Sequence, residues 1–173
     1  MIISAIGYYT FRDFDTGKFS LTSVGKKLMQ WGDVATTPNP VVVGNVYDMA
    51  NKVLATLGEK TMTTFIVLDH GSEQHVRIGR SVLTPSTMPA LTPDLARLAG
   101  HFAENARLIF MNCHAGRNVD VLKAIAALWG RKLYGGRGTT YNVGGMAYNA
   151  ESWTGFSPDG TVEENANPGA IWW

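Results

Sequence analysis

Two stretches of this chain decide its fold: TTFIVLDHG at residues 63–71 and RLIFMNCHAG at residues 107–116. Each opens with a continuous apolar run of strand length, which is typical of a strand buried on both faces of a parallel sheet. The first run leads to His70 and the second to Cys113, each with a glycine close behind. In open α/β sheets, ligands bind beyond the carboxyl ends of the strands. The two side chains are therefore predicted to share one edge of a sheet.

Helical patterns separate these runs from each other and from two shorter apolar runs, at residues 41–43 and 132–135. Asn45 and Thr92 are suitable helix caps, and Pro93 suits a first helical position. The periodicity predicts three helices, over residues 46–57, 93–104 and 119–129. Strands that alternate with helices of this length indicate right-handed crossovers. We therefore predict an α/β fold with a mostly parallel central sheet flanked by helices.

The two ends of the chain show a different pattern. Residues 2–14 and 18–24 flank the turn Asp15-Thr16-Gly17, which predicts an N-terminal β-hairpin. A second, smaller hairpin is predicted around Gly79. The C-terminal end is apolar, so it is expected to pack on the domain. We therefore predict a single domain made of a β-rich extension, an α/β core and a packed tail, at residues 1–37, 38–145 and 146–173.

Composition excludes several classes of function. The chain has 173 residues with 15 basic and 14 acidic side chains, so its net charge of +1 gives no signature of a nucleic-acid partner. Apolar runs are too short for a membrane span, and residues 1–7 lack the basic start of a signal peptide. We expect a cytoplasmic protein, or one exported without a cleaved signal peptide. The single cysteine excludes an internal disulfide.

His70 and Cys113 together have the chemistry of a nucleophilic pair. A thiol attacks as the thiolate, and an adjacent imidazole accepts its proton or stabilises the ion pair. The backbone N–H groups of Gly71 and Cys113 are suitable donors to an oxyanion. The alternatives are a structural cysteine, or a metal site from His70, His75, Cys113 and His114. Because adjacent Cys113 and His114 point to opposite sides of an extended chain, we expect no metal, and no motif indicates a cofactor.

A strand ending in His-Gly, followed by a strand ending in Cys-x-x-Gly, resembles the caspase-like (clan CD) cysteine peptidases. The segment NCHAG at residues 112–116 is similar to the metacaspase segment Asp-Ser-Cys-His-Ser-Gly. The segment LDHGS at residues 68–72 is similar to the His-Gly segment of clostripain. The order and span also resemble the autoprocessing peptidase domains of large bacterial toxins and the caspase-like modules of bacterial adhesins. The resemblance covers residues 40–145.

The resemblance implies a cysteine peptidase that acts on a protein or peptide substrate, as a bacterial effector or an autoprocessing module. In it His70 is the general base and Cys113 the nucleophile, and the N–H groups of Gly71 and Cys113 form the oxyanion hole. Metacaspases place an Asp two positions before the cysteine, where this chain has Met111. A preference for a basic substrate side chain therefore does not transfer.

The candidate substrate-binding residues are Asp69, Arg117 and Arg137. Arg117 follows Gly116 directly and Arg137 lies in a glycine-rich turn after a predicted strand, so both are expected to reach the edge that carries the dyad. The positive charge of the two arginines favours an uncharged or acidic side chain in the substrate. Two other functions stay open: a caspase-like binding module without turnover, and an amidase of small substrates that uses the same dyad.

Overall fold

The computed structural model describes residues 1–7, 38–143 and 146–169 of the chain. Its strands are β1 (Ile2–Gly7), β2 (Pro40–Val43), β3 (Met62–Leu68), β4 (Val76–Ile78), β5 (Ser81–Leu83), β6 (Phe102–Phe110), β7 (Leu133–Gly136), β8 (Thr140–Val143), β9 (Met146–Asn149), β10 (Trp153–Phe156) and β11 (Val162–Ala166). Its α-helices are α1 (Val46–Leu57), α2 (Met88–Ala96) and α3 (Val119–Trp129), and two single 3₁₀ turns span Ala99–His101 and Ala115–Arg117.

Seven strands form one central sheet in the order β11-β10-β7-β6-β3-β1-β2. The five strands from β7 to β2 run parallel, whereas β10 is antiparallel to both β7 and β11. Two separate hairpins pair β4 with β5 and β8 with β9. The predicted α/β class, with a mostly parallel central sheet flanked by helices, is confirmed.

The chain reverses its direction of winding at β1. Strand β2 lies on one side of β1, and β3, β6 and β7 follow in chain order on the other side. This is a doubly wound order, whose switch point lies between β1 and β3. The carboxyl ends of these parallel strands meet at one edge of the sheet, which is where such folds bind their ligands.

The continuous apolar runs of the sequence bury both faces of β3 and β6. On one face of these strands, Phe65, Leu108 and Phe110 belong to the main core. On the other face, Ile66 and Ile109 belong to a second apolar cluster. Trp129 of α3 packs against three phenylalanine rings, at centroid distances of 5.8 Å to Phe65, 5.2 Å to Phe102 and 6.1 Å to Phe110. Its indole N–H donates to the Leu95 carbonyl at 2.8 Å, which ties the sheet to both α3 and α2.

The bounds of α1 and α3 follow the prediction, and those of α2 do not. Asn45 caps α1 by accepting a hydrogen bond from the Asp48 N–H at 2.7 Å. The second helix was predicted over residues 93–104 and instead spans Met88–Ala96. Thr84 and Thr87 exchange hydrogen bonds between side-chain oxygen and backbone N–H at 2.9 and 3.2 Å, and this turn starts the helix earlier. Among the described residues, no helix has the length and apolarity to cross a membrane.

Residues from both ends of the predicted division contribute strands to the central sheet. Residues Ile2–Gly7 form β1 in the middle of the central sheet, paired with both β2 and β3, so they belong to the core. The tail from residue 146 contributes β10 and β11, which extend the same sheet beyond β7. The rest of the predicted N-terminal hairpin lies outside the described residues. The hairpin predicted around Gly79 is confirmed as β4 and β5.

The position of Trp129 predicts how its variants behave. Trp129→Ala should lower the free energy of unfolding by roughly 3 to 5 kcal/mol, because it leaves a cavity among the phenylalanine rings. Trp129→Phe should cost about 1 kcal/mol through the lost bond to Leu95. Val119→Ala, at a 39% exposed position of the same helix, is the control and should stay within roughly 0.5 kcal/mol of wild type. Urea denaturation measures all three, and equal losses in the two tryptophan variants would contradict this account.

Candidate active site

The register of two central strands places His70 and Cys113 at the same level. In the parallel pair of β3 and β6, Val67 lies opposite Phe110, and the Met111 N–H donates to the Val67 carbonyl at 2.8 Å. His70 lies three residues after Val67, and Cys113 lies three residues after Phe110. Both turns therefore leave the sheet side by side at its carboxyl edge, where the His70 residue is exposed and Cys113 is half-buried.

The backbones of the two turns are in direct contact at Gly71. A Cβ atom on Gly71 would lie 2.5 Å from the Cys113 carbonyl oxygen and 2.8 Å from the Cβ of Asn112. Distances this short cannot be relieved by a side-chain rotation, since one of the atoms belongs to the backbone. Only glycine fits at this point, and the glycine behind the histidine therefore has a packing role that its position in the sequence did not reveal.

The two predicted oxyanion donors are available. Gly71 faces Val76 across a short antiparallel bridge whose hydrogen bonds run from Ser72 N–H to the His75 carbonyl and from Arg77 N–H to the His70 carbonyl. A residue in such a non-hydrogen-bonded pair points its own N–H away from the partner strand. Within the described part of the chain, neither the Gly71 nor the Cys113 N–H donates a hydrogen bond. Both groups therefore keep the capacity to bind an oxygen that carries negative charge.

Asn112 is a buried residue of the site to which the sequence assigned no role. Its amide nitrogen donates to the His70 carbonyl and to the Arg77 carbonyl, each at 2.8 Å. It thereby links the end of β6 to the histidine turn and to β4. The signal in the sequence was its place directly before Cys113, but an asparagine after a strand is ordinarily interpreted as a turn residue.

Asn118 forms a second link between the turns. Its amide nitrogen donates to the Ser72 carbonyl at 2.8 Å and to the His114 carbonyl at 3.1 Å. The residue precedes α3, where an asparagine side chain commonly caps the helix, yet here it makes no side-chain cap bond. The amide crosses between the turns instead, so its position in the sequence would predict the wrong role.

Asp69 lies beneath the edge and supports the histidine turn. Its two carboxylate oxygens accept hydrogen bonds from the backbone N–H of His70 at 2.6 Å and of Gly79 at 2.5 Å. Burial raises the pKa of Asp69 to about 6, although these two N–H donors and the charge of Arg77 act in the opposite direction. Because the carboxylate is buried and used by the backbone, its contacts favour a supporting role over the predicted substrate-binding role.

Arg117 and Arg137 both reach the edge, and each is paired with a carboxylate. Arg117 forms ion pairs with Glu73 at 3.0 Å and Glu151 at 2.9 Å, and its Nε donates to the Arg137 carbonyl at 2.9 Å. Arg137 forms an ion pair with Glu164 at 3.1 Å. The charge that was expected to attract an acidic substrate side chain is thus balanced by three glutamates.

His114 turns towards the glycine-rich loop after β7. It adopts a left-handed backbone conformation with φ 58°, its ring Nδ1 lies 2.9 Å from the Arg137 carbonyl, and its N–H donates to the Gly138 carbonyl at 2.9 Å. Gly116 packs directly against the Gly135 backbone, so the end of β7 also approaches the cysteine turn closely. In the described part of the chain, no three His, Cys, Asp or Glu side chains are placed to hold a metal ion.

A pocket opens between the residues that follow the histidine turn and the start of α3, and its lining includes neither His70 nor Cys113. Its lining includes Glu73, Pro85, Arg117 and Asp120. Asn118 also lines it, and the amide of that residue bonds to carbonyls of both turns. The pocket is therefore connected to the two turns through Asn118.

Comparisons of the chain with models of protein families, with curated protein sequences and with solved structures found no match. The chemistry of the edge is thus inferred from its own residues and their geometry.

Gly71→Ala tests the contact between the turns. The added Cβ should force the turns apart and lower the free energy of unfolding by roughly 1 to 3 kcal/mol, measured in urea. Gly100→Ala is the matched control, because a Cβ there would meet no atom within 4 Å, and it should be neutral within roughly 0.5 kcal/mol. Equal stability of the two variants would show that Gly71 is not constrained by Cys113.

Asp69→Asn tests the buried carboxyl. The folded protein holds this proton with a pKa of about 6 against the ordinary value of 3.8, so the free energy of unfolding should fall as the pH rises through this interval. The loss should be on the order of 2 to 3 kcal/mol between pH 4 and pH 7. The variant should lack this loss, so its stability difference from wild type should shrink with rising pH. A pH-independent difference would contradict the raised pKa.

Proposed function

We propose that this protein is a cysteine peptidase of the caspase-like kind, with Cys113 as the nucleophile and His70 as the general base. The observation that carries the proposal is the packing of Gly71 against the Cys113 carbonyl, at the carboxyl edge of two paired parallel strands. This contact keeps the chain's one cysteine beside the turn that bears the histidine. The N–H groups of Gly71 and Cys113, one in each turn, have no hydrogen-bond acceptor among the described residues.

We assign the sheet to the caspase-like fold on the same grounds. The His-Gly turn follows the third strand of the central sheet in chain order, and the cysteine turn follows the fourth. The doubly wound order puts both turns at the edge where such sheets bind ligands. The antiparallel β10 closes the parallel part of the sheet beyond β7.

The proposed reaction is acyl transfer through a thioester. His70 accepts the thiol proton, and the Cys113 sulfur attacks the carbonyl carbon of the scissile peptide bond. The carbonyl oxygen takes up the negative charge and accepts hydrogen bonds from the N–H groups of Gly71 and Cys113. The imidazolium then protonates the leaving amine as the C–N bond breaks. Water, deprotonated by His70, hydrolyses the thioester and restores the thiol.

The charges around the edge favour an uncharged substrate side chain. Arg117 and Arg137 are paired with glutamates, so an acidic side chain would have to displace a carboxylate from either arginine. The pocket beside Asn118 is lined by Asp120 as well as by the Arg117–Glu73 ion pair, so Asp120 adds negative charge near the same place. The preference for an acidic side chain, one of the two that the sequence favoured, therefore loses its support.

The proposal predicts selective labelling of the single cysteine. Peptidyl chloromethyl ketones with uncharged, acidic or basic side chains should each be incubated with the protein and the intact mass recorded. Wild type should gain one adduct, fastest with an uncharged side chain, and Cys113→Ala should gain none. His70→Ala should label slower by a factor of about 10² because the base is lost. His101→Ala, which removes a histidine from the 3₁₀ turn before β6, is the control and should label like wild type.

Two results would overturn the assignment. Equal labelling rates in wild type and His70→Ala would remove the general base. Hydrolysis of peptide substrates that survives in Cys113→Ala would remove the nucleophile. Labelling by iodoacetamide alone, with no peptide reagent reacting, would favour the amidase of small substrates over the peptidase.

A further inference from the structure

We propose that Asn112 is a positioning residue that sets the imidazole of His70 against the sulfur of Cys113. This inference rests on the proposed function and adds a residue to its machinery. Asn112 is fully buried and directly precedes the nucleophile, so any shift of its backbone moves the sulfur. Its side chain also donates a hydrogen bond to the backbone carbonyl of His70, which belongs to the neighbouring turn.

The orientation of the Asn112 amide follows from its partners. The Nδ2 group donates to the carbonyls of His70 and Arg77, each at 2.8 Å. Because both partners are acceptors only, the amide cannot rotate by 180° without setting its own oxygen against two carbonyl oxygens. One amide thus uses both of its hydrogens to fix one point in the histidine turn and another in β4.

The backbone of His70 is held on both sides of its Cα atom. Its N–H donates to the buried carboxylate of Asp69 at 2.6 Å. Its carbonyl accepts from Asn112 and also from the Arg77 N–H at 3.1 Å. The His70 residue that this backbone carries is exposed at the edge. Of these groups, Asn112 alone is covalently adjacent to Cys113, so it alone joins the two turns at the dyad.

A cost in the structure supports a role beyond stability. The Oδ1 atom of Asn112 is buried and has no hydrogen-bond partner among the described residues. A buried acceptor without a partner is unfavourable, and such groups are rare in folded proteins. An apolar side chain here would avoid that cost but would leave the His70 carbonyl without this donor. The cost of burying the Oδ1 atom without a partner is explained if the Asn112 amide is required to align His70 with Cys113.

The test is the pH dependence of alkylation of Cys113 by iodoacetamide, which needs no knowledge of the substrate. The intact mass reports the rate, because the chain has one cysteine. Wild type should react faster than His70→Ala at neutral pH, because the imidazole takes up the thiol proton, and the difference should shrink at high pH, where hydroxide can take it up instead. Asn112→Ala and the nearly isosteric Asn112→Asp should show the same pH-dependent loss and slow alkylation at pH 7 by at least about tenfold, which corresponds to about 1.4 kcal/mol.

The control is Trp129→Phe, which loses stability at a point remote from both turns and should keep the wild-type pH profile. If His70→Ala retains the wild-type profile, there is no dyad, and the proposed function falls together with the inference. If His70→Ala shifts the profile but the folded Asn112 variants do not, only the positioning role is overturned. Should Asn112→Asp not fold, Asn112→Ala and Asn112→Ser decide, with folding checked by urea denaturation.

Discussion

The contact between Gly71 and the carbonyl oxygen of Cys113 is the constraint on which the rest of the edge depends. It exists because Val67 of β3 lies opposite Phe110 of β6, so the chain leaves both strands at one level. The apolar sequence of these strands fixes that register by burying both of their faces. A one-residue slip would exchange the two faces and separate the turns. The chemistry of the edge is thus determined by hydrophobic packing inside the sheet, several residues away from the reacting atoms.

The backbone hydrogen bonds between neighbouring strands stop where the strands end. In the turns that follow, asparagine side chains provide hydrogen bonds instead. Buried backbone carbonyls in such turns need donors. Asn112 supplies them to the histidine turn and to β4, and Asn118 links the histidine turn to the cysteine turn. Asn149 in β9 does the same for the loop after β7, where its amide bonds to both the N–H and the carbonyl of Gly138. Asn112 and Asn118 each donate two hydrogen bonds and so join two points beyond the ends of the strands, whereas Asn149 both accepts from and donates to the backbone of Gly138.

The sequence was informative where hydrophobic pattern alone decides the structure. The long apolar runs predicted β3 and β6, and the rule for strand ends then predicted that His70 and Cys113 lie at one edge. It was misleading where tertiary context decides. Strand β1 pairs in the middle of the sheet, which a short apolar segment cannot reveal, and β11 is a largely exposed strand that contains two glutamates. The partners of Arg117 and Arg137 come from residues 73, 151 and 164, and no local pattern connects those positions to the site.

The interactions of the edge differ in strength according to their burial. The ion pairs of Arg117 and Arg137 are solvent-exposed, and pairs of this kind contribute only about 0 to 1 kcal/mol each. The hydrogen bonds of Asn112 come from a fully buried side chain, so breaking them removes one donor from each of two backbone carbonyls. The asparagine hydrogen bonds that join the two turns are therefore harder to break than the exposed ion pairs, which can exchange partners at little cost. If the proposed peptidase function is correct, a substrate could displace these ion pairs while the asparagine hydrogen bonds between the turns stay in place.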